Sequence, residues 1–131
     1  MVIHEAAENY LEAIYMLLRR RGYCRSIDVC RELGYSKPTI SIMMKNLREN
    51  GYITIDDTGS IALTETGLEI AQRMYERHET IAQVLMKLGV SEEVAYTDSC
   101  KIEHDLSAES FHAILRYVTE NGLLDERKKQ L

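Results

Sequence analysis

The apolar residues in the first part of the chain recur at spacings of three and four, which place side chains on one face of an α-helix. This pattern predicts a first helix over residues 6–20, which ends at Gly22. A short second helix is predicted to begin near Ser26 and to end at Gly34. The apolar positions of these two helices are Leu11, Ile14, Tyr15, Leu18, Val29 and Leu33.

A third helix is predicted to follow Ser36, because serine is a favoured N-cap and Pro38 is tolerated in the first turn. It runs to about residue 50, and its apolar positions are Ile40, Met43, Met44 and Leu47. The period then changes, because residues 53–63 alternate apolar and polar side chains around a turn at 56–60. This change predicts two short strands that form a hairpin.

The rest of the chain is predicted to be helical. Thr64 can cap a long helix that reaches about Leu88. Shorter helices are expected from Ser91, over residues 99–106 and over residues 108–120. The apolar stripe of the long helix comprises Ile70, Met74, Ile81, Leu85 and Leu88.

A helix, a glycine break, a second helix and a hairpin, in that order, form a winged helix-turn-helix. The predicted fold is therefore mainly α, with a winged helix-turn-helix DNA-binding domain over residues 1–66 and an all-helical domain over residues 67–131. The charged tail at 124–131 is expected to fray. An alternative stays open, because any two short helices separated by a glycine share part of this pattern.

The third helix carries side chains that suit DNA on the face opposite its apolar positions. A major groove admits an α-helix, and the positive end of the helix dipole favours phosphate. Arg25 and the arginines at 19–21 would add contacts to the DNA backbone. The hairpin turn departs from this pattern, because Asp56 and Asp57 should repel phosphate. The candidate DNA-binding residues of the helix are Lys37, Thr39, Ser41, Ile42, Lys45 and Arg48.

The charge distribution agrees with two different partners for the two halves. The net charge is −5, but residues 1–50 carry eight Lys and Arg against six Asp and Glu, whereas residues 51–131 carry eight against fifteen. Phosphate would meet the first half and cations the second. The alternative is that the acidic half is only a solvated surface.

Composition narrows the class of protein. Hydrophobic residues make up 45% and charged residues 28%, which is typical of a packed protein without a membrane partner. The three cysteines include no Cys-x-x-Cys pair, so they do not resemble a disulfide framework. A reducing cytoplasm is the expected location.

The stretch Cys100-Lys-Ile-Glu-His104 is the most informative motif in the chain. On a helix, positions i, i+3 and i+4 share a face, so Cys100, Glu103 and His104 can converge on one point. A thiolate, a carboxylate and an imidazole together suit a first-row transition metal better than calcium or magnesium. Three such ligands do not complete a metal site.

Other candidate ligands lie elsewhere in the sequence. Asn9 and Glu12 are three residues apart on the first helix, and His78 lies midway along the long one, so a single ion could draw three helices together. Taken singly, each candidate is more often an ordinary core or surface residue than a ligand. Cys24 and Cys30 lie on or beside the second helix and are expected to be core residues.

The segments 8–16, 63–67, 77–79 and 100–107 resemble the diphtheria-toxin-repressor family of iron- and manganese-dependent transcriptional repressors. The resemblance covers nearly the whole chain and is to the short form without an SH3-like domain. It implies a winged-helix domain, a helical dimerisation domain, a homodimer and a palindromic DNA operator, with no small organic substrate. The metal ligands that it implies are Asn9, Glu12, His78, Cys100, Glu103 and His104.

The implied ligand set combines two subfamilies. Asn9 stands where manganese-type members have Asp and iron-type members have Met, Glu12 is the manganese-type residue, and Cys100 is the iron-type residue. Ala82 and Tyr96 replace two ligands of the iron members' ancillary site, which is therefore expected to be missing. The thiolate favours Fe²⁺, then Mn²⁺, with Zn²⁺ or Co²⁺ as activators in vitro. The resemblance also places Ser36, Pro38 and Ile42 at base-reading positions.

These observations predict a repressor in which the metal acts as a corepressor for DNA binding and thereby controls metal homeostasis. A metal-independent winged-helix regulator that senses oxidation through Cys100 is the first alternative. A metal-dependent hydrolase with Glu103 as its base is the second, although no His-Glu-x-x-His motif or phosphate-binding glycine loop supports an enzyme.

Overall fold

The computed structural model describes residues 5–123, so the tail predicted to fray at 124–131 lies outside the described residues. Within this range the chain forms six helices and one two-stranded sheet, which confirms the predicted mainly α fold. The elements are α1 (Glu5–Arg21), α2 (Ser26–Leu33), α3 (Lys37–Glu49), β1 (Ile53–Ile55), β2 (Ile61–Leu63), α4 (Glu65–Lys87), α5 (Glu92–Ile102) and α6 (Ala108–Glu120).

The described residues divide into two compact units, and the division falls between Arg73 and Met74, inside α4. The domain boundary expected after residue 66 stays a prediction. Between residues 5 and 123, no helix combines the length and the apolar character needed to cross a bilayer.

The first unit is a helix-turn-helix followed by a hairpin. Helix α1 packs against α2 and β2, and α3 packs against α2 and β1. Strands β1 and β2 are antiparallel, with Thr54 opposite Ala62 at the centre of the pairing. The predicted apolar stripes of the first three helices supply the core, except that Leu18, Leu33 and Met43 are only half-buried. The most deeply buried side chains are Leu11, Ile14, Cys24, Val29, Ile40, Met44, Leu47, Ile53 and Ile61.

Helix caps set the relative positions of α2 and α3. Gly34 adopts the left-handed conformation, with φ of 74°, and its N–H donates to the Cys30 carbonyl, which ends α2. The Ser36 hydroxyl accepts a hydrogen bond from the Thr39 N–H at 3.4 Å, and Pro38 lies in the first turn of α3. The predicted caps of these helices are confirmed.

The side chain of Asp56 stabilises the hairpin turn. Its Oδ1 atom accepts hydrogen bonds from the backbone N–H groups of Thr58 at 2.9 Å and Ser60 at 3.0 Å. Hydrogen bonds from the side chain and backbone of Thr58 and from the Ser60 backbone hold the pKa of Asp56 below its usual value. This carboxylate therefore stabilises the turn that carries it, a role that its sequence position did not indicate.

A close backbone approach joins the hairpin to the start of α4. The Thr64 N–H donates to the Tyr52 carbonyl at 3.0 Å, and the Thr64 hydroxyl accepts from the Gly67 N–H at 3.2 Å. A Cβ atom at Gly67 would lie 2.0 Å from the Tyr52 carbonyl oxygen, so only glycine fits there. The cap predicted at Thr64 is confirmed.

The second unit differs from the prediction in two places. The helices expected from Ser91 and over residues 99–106 are one helix, α5, because no glycine or proline interrupts it before it ends at Ile102. A new helix, α6, follows Ser107, which is its N-cap. The Ser107 hydroxyl accepts a hydrogen bond from the Ser110 N–H at 3.0 Å. Leu88, expected in the buried stripe, is 76% exposed, because it follows the last residue of α4.

Asp28 is a buried carboxylate of the first unit. Its oxygens accept hydrogen bonds from the Arg25 backbone N–H and from the Arg21 guanidinium, both at 2.9 Å. Burial raises the pKa of Asp28, but these hydrogen bonds outweigh burial and hold the pKa below the ordinary value of 3.8. The folded protein therefore prefers the ionised form of this side chain.

We expect the substitution Asp28→Asn to lower the free energy of unfolding at neutral pH by about 1–2 kcal/mol, because hydrogen bonds to a charged acceptor are lost. A depressed pKa adds stability above the unfolded value, and this stability is lost as the pH falls through the folded value. The difference between wild type and variant should therefore shrink below about pH 4 in urea unfolding. The exposed Asp57→Asn is the control, and a difference independent of pH would contradict the assignment.

Candidate metal centre and DNA-binding surface

Four of the six predicted metal ligands meet in the second unit. The Nδ1 atom of His78, on α4, lies 3.3 Å from the Sγ atom of Cys100 and 3.3 Å from Oε2 of Glu103. The other carboxylate oxygen of Glu103, Oε1, lies 3.4 Å from Nε2 of His104. One thiol, one carboxylate and two imidazoles therefore lie next to one another.

The end of α5 explains why these side chains converge. Cys100 lies in the last turn of α5, and Glu103 is the C-cap residue that follows Ile102. Glu103 keeps right-handed helical angles, with φ of −57° and ψ of −31°, so the spacing of i, i+3 and i+4 still places three side chains on one face. The ligands thus lie on a helix end and a turn rather than inside the helix predicted over residues 99–106.

The Glu103 carboxylate is fully buried, and neither of its oxygens accepts a hydrogen bond from any residue in the range 5–123. A buried carboxylate without hydrogen bonds is costly unless a cation compensates it. The neighbouring imidazoles are also buried, with side-chain exposures of 10% for His78 and 2% for His104. The donor set and a buried carboxylate without a hydrogen bond fit a divalent transition-metal ion.

The pKa of His78 reflects the charged groups around it. Burial lowers the pKa of His78, but its interactions with Cys100 and Glu103, each 3.3 Å from Nδ1, outweigh burial and raise the pKa to about 10. The surrounding groups therefore favour positive charge at this position. A proton and a metal ion would compete for it.

Tyr96 and Ala82 are the two residues from which a missing ancillary site is predicted. The Tyr96 ring lies 5.3 Å from the His78 ring, and its hydroxyl donates to Glu79 Oε2 at 2.9 Å. Ala82 is fully buried and has no ligand atom. The absence of an ancillary site stays a prediction.

The other two predicted ligands, Asn9 and Glu12, lie on α1 in the first unit. Glu12 is 6% exposed and Asn9 is half-buried. A glutamate is rarely buried to this degree in proteins, so the burial of Glu12 draws attention to this face of α1. Their contribution to a metal site stays a prediction.

The predicted DNA-binding residues all lie on the surface of the first unit. Ile42 is the most notable, because a large apolar side chain is 65% exposed in the middle of α3. Lys45 is 4.0 Å from Glu49, and both side chains are mostly exposed. The exposed candidates are Arg25, Ser36, Lys37, Pro38, Thr39, Ser41, Ile42, Lys45 and Arg48.

Sequence reasoning missed an apolar surface on the second unit. Leu88 and Tyr117 are 76% and 63% exposed, and both line a groove of about 490 Å³ together with Val84 and Ile114. The only sequence signal was Leu88 itself, placed one residue past the end of α4. Exposed apolar patches of this kind mark interaction surfaces in many proteins.

Comparison with known proteins identifies the family. Residues 3–61 match the model of the iron dependent repressor, N-terminal DNA binding domain, and residues 64–121 match that of the iron dependent repressor, metal binding and dimerisation domain. The chain belongs to the iron-dependent repressor family, also called the diphtheria-toxin-repressor family. The family is one of metal-dependent, DNA-binding transcriptional regulators, and the predicted fold class is confirmed.

Two relatives of this iron-dependent repressor family member have names that describe regulators. The transcriptional regulator MntR of Salmonella typhimurium is 35% identical over 118 residues, which span 90% of this chain and 75% of the relative. The HTH-type transcriptional regulator MntR of Bacillus subtilis is 35% identical over 127 residues, which span 95% and 87%. Neither name describes an enzyme.

Solved structures agree on the fold of this family member. The T. acidophilum IdeR structure matches with a TM-score of 0.77 and 24% identity, over 93% of this chain and 55% of that one. The manganese regulator SloR matches with a TM-score of 0.76 and 23% identity, over 91% and 55%. The chain thus spans about half the length of these solved structures.

We expect the substitution Glu103→Gln to weaken Mn²⁺ binding by more than about 100-fold. Changing a residue that only orients a metal ligand typically weakens binding by about 10–100-fold, and Glu103 is proposed to be a ligand itself. The amide keeps the volume of the carboxylate but lacks its charge. Competition with a fluorescent chelator measures the affinity, and circular dichroism verifies folding. Glu109→Gln, an exposed change of the same chemistry on α6, is the control. Equal Mn²⁺ affinities for the two variants would exclude Glu103 as a ligand.

Proposed function

We propose that this chain is a transcriptional repressor for which a divalent transition-metal ion is the corepressor, and that it controls metal homeostasis in the cytoplasm. The observation that carries the proposal is the buried Glu103 carboxylate, which lies between His78 and His104 beside Cys100. Membership in the repressor family and the similarity to two MntR proteins support it.

Fe²⁺ is the proposed metal and Mn²⁺ the next candidate. Cys100 supplies a soft thiolate, which favours iron over manganese, whereas Glu103 and two histidines suit both ions. Relatives named MntR and a structure described as a manganese-dependent repressor in complex with manganese support Mn²⁺ instead. Zn²⁺ and Co²⁺ are expected to bind in vitro.

The proposed coupling uses ligands from both units. His78, Cys100, Glu103 and His104 belong to the second unit, and Asn9 and Glu12, which complete the proposed set, belong to α1 of the first. A bound cation supplies the positive charge that lets carboxylates from the two units approach one another. The orientation of α3 then depends on whether all ligands are engaged. By linkage, DNA must tighten metal binding by the same factor by which metal tightens DNA binding.

Helix α3 is proposed to enter the major groove of a palindromic operator. Ile42 offers an apolar contact to a thymine methyl group, and Ser36 and Pro38 lie at the positions proposed to read bases. The basic residues position the helix on phosphates without specifying a sequence. The proposed phosphate contacts are Arg25, Lys37, Lys45 and Arg48, with Thr39 and Ser41 on the same surface.

Selection of duplexes from a random pool, with Mn²⁺ or with anaerobic Fe²⁺, would yield an operator for a direct test. We expect metal to tighten operator binding by a factor of about 5–150, the range that corresponds to typical allosteric coupling. Fluorescence anisotropy with and without a chelator measures this factor. Glu109→Gln should respond like wild type, and Glu103→Gln should not respond. Equal operator affinity with and without chelator, for protein verified to bind metal, would refute the corepressor role.

One observation favours a second candidate function. Cys100 is exposed, and its Sγ atom lies 3.3 Å from an imidazole nitrogen of His78, an arrangement that also suits an oxidation sensor. In that case peroxide should control DNA binding in Glu103→Gln as it does in wild type, and Cys100→Ser should abolish the response. If Glu103→Gln instead loses metal control and peroxide has no effect, the oxidation sensor is excluded and the metal mechanism remains.

A homodimer is proposed to form through the apolar surface of the second unit, because the matching family domain is described as a dimerisation domain. Leu88→Glu should weaken dimerisation at least about tenfold by placing a charge in a desolvated contact. Analytical ultracentrifugation measures the dissociation constant. Leu68→Glu changes another exposed leucine, in the first unit, and serves as the control. A Leu88→Glu protein that dimerises like the control would exclude this surface.

A further inference from the structure

Arg77, the residue before His78 on α4, holds the backbone of the segment that carries two candidate ligands. Its NH1 atom donates to the carbonyl oxygen of Glu103 at 3.1 Å and to that of Leu106 at 2.8 Å. The side chain is buried, with 9% of the residue exposed. Two carbonyls at either end of the turn after α5 are thereby joined through one nitrogen atom.

Helix geometry explains why a cation is stabilising at this position. The last carbonyls of a helix have no partner inside the helix, and they form the negative end of its dipole. Glu103 is the C-cap residue of α5, so its carbonyl needs an external donor. A guanidinium is permanently charged and can offer several N–H groups in one plane.

Phe111 adds a further contact to the guanidinium of Arg77. The Cζ atom of Arg77 lies 5.1 Å from the centre of the Phe111 ring, which is buried on α6. The guanidinium is thus held by an aromatic face and by two carbonyls at once. A lysine would keep the charge, but its ammonium group cannot lie flat on a ring.

The choice of acceptor matters for the metal centre. Arg77 donates to the main-chain carbonyl of Glu103 and leaves the carboxylate of the same residue without a hydrogen bond from residues 5–123. Had the guanidinium paired with the carboxylate, it would have competed with a metal ion for the same oxygens. Two adjacent residues of α4 therefore contact Glu103 in different ways. His78 lies next to its carboxylate, and Arg77 donates to its backbone carbonyl.

We propose that Arg77 is a positioning residue for the metal centre, which fixes the turn so that Glu103 and His104 meet the metal with their side chains already oriented. The proposal rests on the proposed function, because it assumes that these residues bind a metal ion. Residues that orient metal ligands commonly contribute about 10–100-fold to affinity. Arg77 would reach this effect without touching the ion.

Titration with Co²⁺ alone tests the proposal, because a thiolate-to-cobalt charge-transfer band reports ligation by Cys100 and the visible bands report geometry. Arg77→Met removes the donors and keeps an unbranched apolar stem, so we expect about 10–100-fold weaker Co²⁺ binding with altered visible bands. Arg77→Lys should lose less affinity. Arg116→Met, an exposed change of the same charge on α6, should match wild type.

The outcomes separate the two proposals. If wild type shows no charge-transfer band, or if Cys100→Ser keeps it, the metal site itself is wrong. If wild type binds Co²⁺ through Cys100 and Arg77→Met matches Arg116→Met in affinity and spectrum, the positioning role is wrong. A lower melting temperature of Arg77→Met with unchanged Co²⁺ bands would also overturn it, since the role would be merely structural. If Arg77→Met fails to fold, Arg77→Lys decides, and wild-type affinity and spectrum would refute the proposal.

Discussion

The candidate metal centre depends on one buried charge, the carboxylate of Glu103. It has no exposure to solvent and accepts no hydrogen bond within residues 5–123, yet His78 and His104 flank its two oxygens. Such an arrangement is unfavourable for a protein that uses the carboxylate only for stability, because a neutral or apolar residue would cost less. A cation-binding role accounts for the burial, and the end of α5 and the turn after it give that role its geometry.

The first unit presents an exposed polar and basic surface, and it also carries the predicted ligands Asn9 and Glu12. Caps at Gly34 and Ser36 fix α2 against α3, and the close approach of Gly67 to Tyr52 ties the hairpin to α4. These features stabilise the scaffold and leave the polar and basic face of α3, with the exposed Ile42, open to a partner. Family membership identifies that kind of partner as DNA.

Much of the fold could be predicted because helical spacing and caps are local signals. The stripes of α1 and α3, the caps at Ser36 and Thr64 and the hairpin were all visible in the sequence. The merging of two predicted helices into α5 and the exposure of Leu88 were not, because they depend on where a helix ends in three dimensions. The chemistry of residues 100–104 was readable from spacing, whereas an arginine that holds distant carbonyls leaves no sequence signal.

X-ray absorption at the zinc edge of the Zn²⁺-loaded protein tests the account most directly, because it counts the atoms around the ion. Ligation by Cys100 predicts one sulfur at about 2.3 Å together with nitrogen or oxygen ligands at about 2.0–2.2 Å. The sulfur contribution should disappear in Cys100→Ser and persist in Cys30→Ser, which changes a cysteine of the first unit. A spectrum that contains no sulfur, or one that Cys100→Ser leaves unchanged, would contradict the proposed centre.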